Sequence, residues 1–192
     1  MFRLFDEGQL GDYLNEKRKL VHYLVENEPE LTILKADEYF INHIIEKEYV
    51  EVPQFNFEEI YVEDIEKIKN GNPEMIFNFK LSFTGDKELL KLKPTNHLNW
   101  TIDANVEKDH VLCFEIIDND DDVTVIKDKF RITVDNIKKQ LENFADEVEA
   151  YNNQLPVLIE NKLVERKNRI IKRKQKLELL NSLENIEKRS AV

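Results

Sequence analysis

Two patterns of apolar residues alternate along the chain, helical spacing at both ends and strand-like alternation between them. In the last third, apolar residues recur mostly every three, four or seven positions, as on one face of a helix. The first series is Ile126, Phe130, Ile137, Leu141, Phe144, Val148 and Tyr151, and the second, after Pro156, is Ile159, Leu163, Ile170, Leu177 and Leu180. These series predict a long helical hairpin, or one long kinked helix, with a helix interface along the two stripes.

Two shorter helices are predicted near the N-terminus. The first is expected from Asp12, whose side chain can cap it, to about Val25, and the second over residues 37–47. The side chains expected to face the interior are Leu14, Leu20, Val21, Leu24, Tyr39, Phe40, Ile44 and Ile45. His43 lies on or near this face and is expected to be a core or boundary side chain, because no Cys or His stands at metal-ligand spacing from it.

The middle of the chain changes to a period of two, which predicts strands. The expected strands are residues 49–52, 59–62, 75–83, 98–106 and 111–117, with turns at 70–73, 84–86 and 107–110. The resulting fold class is α+β, with N-terminal helices, a central antiparallel sheet and a C-terminal long helical hairpin or coiled coil. The predicted domains are 1–122 and 123–192, with one continuous domain as the alternative.

Composition places the chain among soluble proteins with a core of ordinary size. It has 192 residues, 41% of them hydrophobic and 35% charged, and a single cysteine, Cys113, which is expected to be buried. One cysteine excludes an internal disulfide. Neither a secretory leader nor an apolar run of the ~18 residues that a membrane span needs is found, so a cytoplasmic location and no membrane partner are expected.

Charge is distributed unevenly. Residues 1–160 hold 18 Lys and Arg against 35 Asp and Glu, a net charge of −17, whereas residues 161–192 hold 10 against 4, a net charge of +6. Steps of four and three place one cationic stripe on the last helix: Lys162, Arg166, Arg169, Arg173 and Lys176. Such a stripe could follow a phosphate backbone. The simplest interpretation is that it pairs with acidic groups of the same chain or of a partner helix, and it has no interleaved aromatic residues to stack on bases.

A search for catalytic motifs is negative, and no catalytic residue, metal site or cofactor is predicted. The run Asp118–Asp122 resembles a calcium loop, but the required glycine and glutamate are Val123 and Lys129, so helix capping is the expected role. A magnesium nuclease set built from Asp103 or Asp109 with Glu115 lacks its lysine, because Ile117 occupies that position.

A pocket could form at residues 97–100, where His97 and Trp100 follow a loop that carries Asp86 and Lys87. Core packing is the alternative for the two rings.

Three segments resemble a family of bacterial proteins. They are Phe83-Thr-Gly-Asp-Lys-Glu-Leu-Leu-Lys-Leu-Lys-Pro-Thr95, Cys113-Phe-Glu-Ile-Ile117, and the tail from Asn161 to Leu183. In that family a module of about this size precedes a variable effector domain, of nuclease-like or Toll/interleukin-receptor-like type, as in phage-defence systems. The resemblance covers most of residues 49–183 and brings no catalytic residues. Where the family continues into a Gly- and Pro-containing connection, this chain has Leu183–Val192, so the resemblance implies the module without its effector.

These patterns lead to one expected function and two alternatives. The expected function is a non-enzymatic scaffold, sensor or assembly module that acts through its helices on a protein partner or a second copy, as part of bacterial defence. The first alternative is nucleic-acid binding through residues 162–176. The second is a small metal-dependent nuclease built from carboxylates distant in sequence.

Overall fold

The computed structural model describes residues 1–69, 72–108, 110–118 and 122–190, with side chains at 67–69, 72–74, 118 and 183–190 outside the description. The chain forms two compact units. Unit 1 comprises Met1–Asn15 and Val50–Asn152, and unit 2 comprises Glu16–Tyr49 and Asn153–Val192. The predicted boundary between residues 122 and 123 therefore falls inside unit 1. The chain contains helices and an antiparallel sheet, which confirms the predicted α+β class.

Unit 1 is built on an antiparallel sheet. Its strands are β1 (Phe2–Arg3), β3 (Gln54–Lys69), β4 (Asn72–Thr84), β6 (Asp103–Glu107) and β7 (Val111–Asp118). Their order across the sheet is β1-β6-β7-β4-β3, so β3, the longest at 16 residues, lies at one edge. A parallel pair joins β2 (Gly8–Gln9) to β5 (Leu92–Lys93), which directly follows a 3₁₀ helix, Lys87–Lys91.

The strand predictions are confirmed for β4 and β7, and the strand predicted over 59–62 lies within the longer β3. The prediction over 49–52 is wrong, and the prediction over 98–106 is wrong in part. Residues 49–52 form no strand, because the backbone N–H and C=O of Val50 bond to the side chain of Asn152 rather than to a neighbouring strand. The strand predicted over 98–106 begins only at Asp103, since the N–H of Leu98 donates to Oε1 of Gln140. Of the turn predicted at 70–73, residues 70 and 71 lie outside the described residues.

The last helix, α4 (Val123–Ser190), begins in unit 1 and packs there through aromatic rings. The Phe130 ring stacks on Phe79 at 4.5 Å between centroids and lies 6.2 Å from Phe114. The predicted stripe is turned inward in this part of the helix, with Ile126, Ile137, Phe144, Val148 and Tyr151 buried and Phe130 and Leu141 half-buried. Each such ring or aliphatic side chain contributes about 1.5–3 kcal/mol when fully buried.

Unit 2 is helical. It contains most of α1 (Leu10–Asn27), then α2 (Glu30–Lys35), α3 (Glu38–Glu48) and the remainder of α4. The carboxylate of Asp37 accepts a hydrogen bond from the N–H of Phe40 at 3.2 Å and so caps α3. Its buried apolar side chains are Val21, Val25, Ile33, Ile44, Leu155, Ile159, Leu163 and Ile170.

Several helix predictions are corrected. The last third is one helix with Pro156 inside it, so of the two predicted forms the single long helix is present and the hairpin is not. Leu20 and Tyr39, expected inside, are 47% and 81% exposed, because each lies about 100° around its helix from a buried or half-buried neighbour, Val21 and Phe40. His43 is also exposed. The short helix α2 was not predicted, since six residues are too few to establish a period.

Among the described residues, none of the helices combines the length and the hydropathy that crossing a bilayer requires.

Candidate functional site: a groove between α3 and α4

The cationic stripe of α4 is largely engaged within unit 2. Arg169 and Arg173 form ion pairs with Glu26 and Glu30, which lie in α1 and α2. The guanidinium of Arg166 donates to the backbone carbonyl of Glu28, directly after the end of α1. These contacts pair the positive charge with the acidic segment 26–30, while the side chains of Arg169 and Arg173 stay 61% and 60% exposed.

Lys167 extends this arrangement, since its Nζ donates to the carbonyl of Ala36 at 2.9 Å, at the C-terminal cap of α2. Together with Arg166, it satisfies carbonyl groups at helix C-termini, where the partial negative charge of the helix dipole favours cations. The cations at positions 166 and 167 thus cap helices of the same chain, and their spacing does not require a phosphate-binding surface.

The two ends of the predicted stripe differ from its centre. Lys162 pairs with Glu165 at 2.9 Å, and this hydrogen bond lowers the pKa of the Glu165 carboxyl. Lys176 forms no ion pair with any residue that the structure describes. Of the five predicted binding residues, Lys176 is therefore the one left to a partner.

An apolar groove lies beside this helix, between α3 and α4, with a volume of about 670 Å³. Its apolar walls are formed by Ile41 and Ile45 from α3 and by Pro156, Leu163 and Val164 from α4. Ile41 and Ile45 are four residues apart and so lie on one face of α3. Val164 is 56% exposed, which leaves an apolar side chain open to solvent in the groove.

The rim of the groove is acidic. Asp37 and Glu38 stand on the α3 side and Glu160 on the α4 side. The Nζ of Lys167 also lines the groove, but its hydrogen bond to Ala36 holds it. The groove therefore suits a ligand with an apolar face flanked by cations, such as an amphipathic helix.

The distal part of α4 carries such a face. Residues 171–182 are all exposed, and Leu177 and Leu180, 52% and 49% exposed, continue the stripe of Leu163 and Ile170 past the buried region. Lys174 and Lys176 stand beside these leucines on the same helix. The predicted helix interface is thus buried up to Ile170 and open at Leu177.

The groove was not predicted from the sequence. Ile41 and Val164 received no role, because a half-covered apolar side chain in a groove follows the same period as one in the core. The signal in α4 was Val164, an apolar residue that lies off the buried stripe of that helix.

The pocket predicted at residues 97–100 is present in part. A small cavity of about 110 Å³ is lined by His97 and Trp100, as expected, but with Arg3, Asp6 and Lys93 rather than Asp86 and Lys87. The hydrogen bond to Lys93 lowers the pKa of the Asp6 carboxyl.

The acidic run before α4 acts as a cap at its last residue. The carboxylate of Asp122 accepts a hydrogen bond from the N–H of Thr124 at 2.8 Å, which lowers its pKa. Residues 119–121 of the run lie outside the described residues. Among those described, no group of three or more His, Cys, Asp and Glu side chains is placed to hold a metal ion.

Comparison of the chain with protein-family models, with curated proteins and with solved structures found no match.

Proposed function

We propose that the chain is a non-enzymatic assembly module that self-associates through unit 2. The distal end of α4 of one copy docks in the α3–α4 groove of another. The observation that carries the proposal is the complementarity between the two surfaces. The groove has apolar walls and a carboxylate rim, and the exposed end of α4 has leucines flanked by lysines.

Charge favours this pairing over an acidic partner. Asp37, Glu38 and Glu160 on the rim would face Lys174 and Lys176 of the docked helix. Like-charged partners would be disfavoured at the same positions, so the rim selects among helices as well as attracting one.

The exposed end of α4 also needs a partner for its own stability. An uncovered helical segment is marginal in water, because most helical stability in proteins comes from packing of an apolar face. Leu177 and Leu180 are about half exposed, so covering what remains would contribute about 1 kcal/mol for each side chain.

The resemblance to the bacterial module with a variable effector domain extends the proposal. In a defence system, assembly through unit 2 would bring effector partners together. The partner would then be recruited by the assembled form rather than by the single chain.

The first test is the absolute mass in solution, measured by light scattering over a range of protein concentration at low and high salt. A dimer or larger species that persists at high salt is expected, because apolar burial is not screened. A monomer under all these conditions would contradict the proposal.

Paired variants locate the interface. Val164→Glu, in the groove, is expected to dissociate the assembly, whereas Ile132→Glu, 54% exposed on the unit 1 part of the same helix, should not. Likewise Leu177→Glu with Leu180→Glu should give monomers, and Leu31→Glu, 64% exposed on α2, should leave the mass unchanged.

Nucleic-acid binding is the alternative outcome. If the mass rises only when a short DNA duplex is added at low salt, the cationic stripe of α4 would be the functional surface. Neutralising five phosphates would then give a log–log salt slope of about −4 to −5.

A further inference from the structure

A cleft in unit 1 gathers cations in the acidic half of the protein. Unit 1 contains 13 Lys and Arg against 26 Asp and Glu. The cleft has a volume of about 550 Å³, and its lining includes Lys87, Lys91, Lys108 and His110. Local charge is therefore opposite in sign to that of the surrounding unit.

Three elements position these side chains. Lys87 and Lys91 are the first and last residues of the 3₁₀ helix. Lys108 and His110 belong to the turn of the β6–β7 hairpin, whose last pair is Glu107 with Val111. Phe2 of β1, which pairs with β6, supplies an aromatic wall.

His110 is held in place by its backbone and its ring. Its φ is 62°, in the left-handed region, and its carbonyl accepts a hydrogen bond from the N–H of Phe83 at 2.9 Å. The imidazole contacts the Phe83 ring at 5.2 Å between centroids. The ring therefore lines the cleft from a fixed position.

The two carboxylates of the cleft are already engaged. Glu88 pairs with Lys91 at 3.0 Å, and Glu107 lies 3.6 Å from Lys80. Lys87, Lys108 and His110 have no acidic partner among the residues that the structure describes. Two ammonium groups and an imidazole are thus available to an incoming anion.

We propose that this cleft binds a small phosphorylated ligand. Lysine ammonium groups are common phosphate partners, and its volume lies in the range of about 300–1,000 Å³ typical of small-molecule sites. The aromatic wall at Phe2 could in addition contact a planar ring, as in a nucleotide. The cleft lies entirely in unit 1, so the proposal does not rest on self-association through unit 2.

Titration calorimetry with tripolyphosphate and with ATP tests the proposal at low salt. Lys87→Ala with Lys108→Ala should weaken binding about tenfold or more, since charge-assisted contacts are lost. The matched control is Lys127→Ala with Lys139→Ala, two exposed lysines of α4 in the same unit, which should change binding by about twofold at most.

The two probes separate the sources of affinity. Equal affinities would support recognition of phosphate alone, and tighter binding of ATP that is lost in Phe2→Ala would support a nucleotide. The proposal would be overturned if neither tripolyphosphate nor ATP bound. It would also be overturned if Lys127→Ala with Lys139→Ala weakened binding as much as Lys87→Ala with Lys108→Ala. Circular dichroism of each variant verifies that it is folded.

Discussion

The side chain of Asn152 exchanges two hydrogen bonds with the backbone of Val50, 102 residues away. Its Nδ2 donates to the Val50 carbonyl at 2.8 Å, and its Oδ1 accepts from the Val50 N–H at 3.1 Å. Val50 is 1% exposed, so water cannot replace these contacts readily. The side-chain amide of Asn152 thus satisfies the two backbone hydrogen bonds of Val50 that a neighbouring β-strand would otherwise satisfy.

Asn152→Ala is expected to destabilise the protein by about 1–3 kcal/mol, because it leaves two buried backbone groups without partners. Asn153→Ala is the matched control, since Asn153 is exposed on the same helix and gains the same helix propensity. Urea unfolding measures both. Equal free energies of unfolding for the two variants would show that the paired hydrogen bonds contribute nothing.

Two glycines should respond to alanine in opposite directions. Gly85 has φ +88°, and a Cβ there would lie 2.9 Å from the carbonyl oxygen of Val52. Gly85→Ala should therefore cost more than about 1 kcal/mol. In α1, no atom of the described residues lies within 4 Å of a Cβ at Gly11, so Gly11→Ala should stabilise by up to about 1 kcal/mol. Thermal unfolding tests both, and shifts of the same sign would contradict the reasoning.

Alkaline pH should weaken the fold through Cys113. Burial raises the pKa of its thiol from 9.0 to about 11. Between these values the unfolded chain loses the proton and the folded chain keeps it, so the free energy of unfolding falls as pH rises from 9 to 11. The measurement is urea unfolding of wild type and Cys113→Ala over this range, which separates the thiol from titrating lysines. A constant difference between the two proteins would refute the assignment.

The ion pair of Arg169 with Glu26 should contribute modestly, about 0.2–1 kcal/mol, because Arg169 is 61% exposed. Arg169→Glu and Glu26→Arg should each lower the melting temperature, and the two combined should recover most of the loss. Lys172→Glu, one turn along, serves as the control for a change in net charge. No recovery in the double variant would indicate that the pair is not coupled.

Much of the fold is predictable because it rests on local periodicity. Alternation in residues 75–83 predicts β4, the apolar run at 111–117 predicts β7, and the stripe from Ile126 to Tyr151 predicts the inward face of α4. Periodicity is informative in this part of α4 because one face of the helix is buried and the other is not. In β7, by contrast, Leu112, Cys113 and Phe114 are all buried.

The errors arise where a side chain replaces a regular backbone partner. The contacts of Gln140 with Leu98 and of Asn152 with Val50 remove residues from predicted strands, and no local pattern announces them. Likewise, the cationic stripe is visible in the sequence, but its partners Glu26 and Glu30 lie 143 residues earlier. The position of the cationic stripe could therefore be predicted from the sequence. That Glu26 and Glu30 of the same chain already pair with it could not.

The edge position of β3 bears on whether the protein aggregates at high concentration. Its outer backbone groups could pair with a strand of another molecule, which is the first step of fibril growth. Glu58, Glu59, Asp64 and Glu66 stand along that edge and are exposed. If the β3 edges of two molecules approached each other, their carboxylates would repel. The acidic side chains therefore oppose edge-to-edge pairing of β3 between molecules.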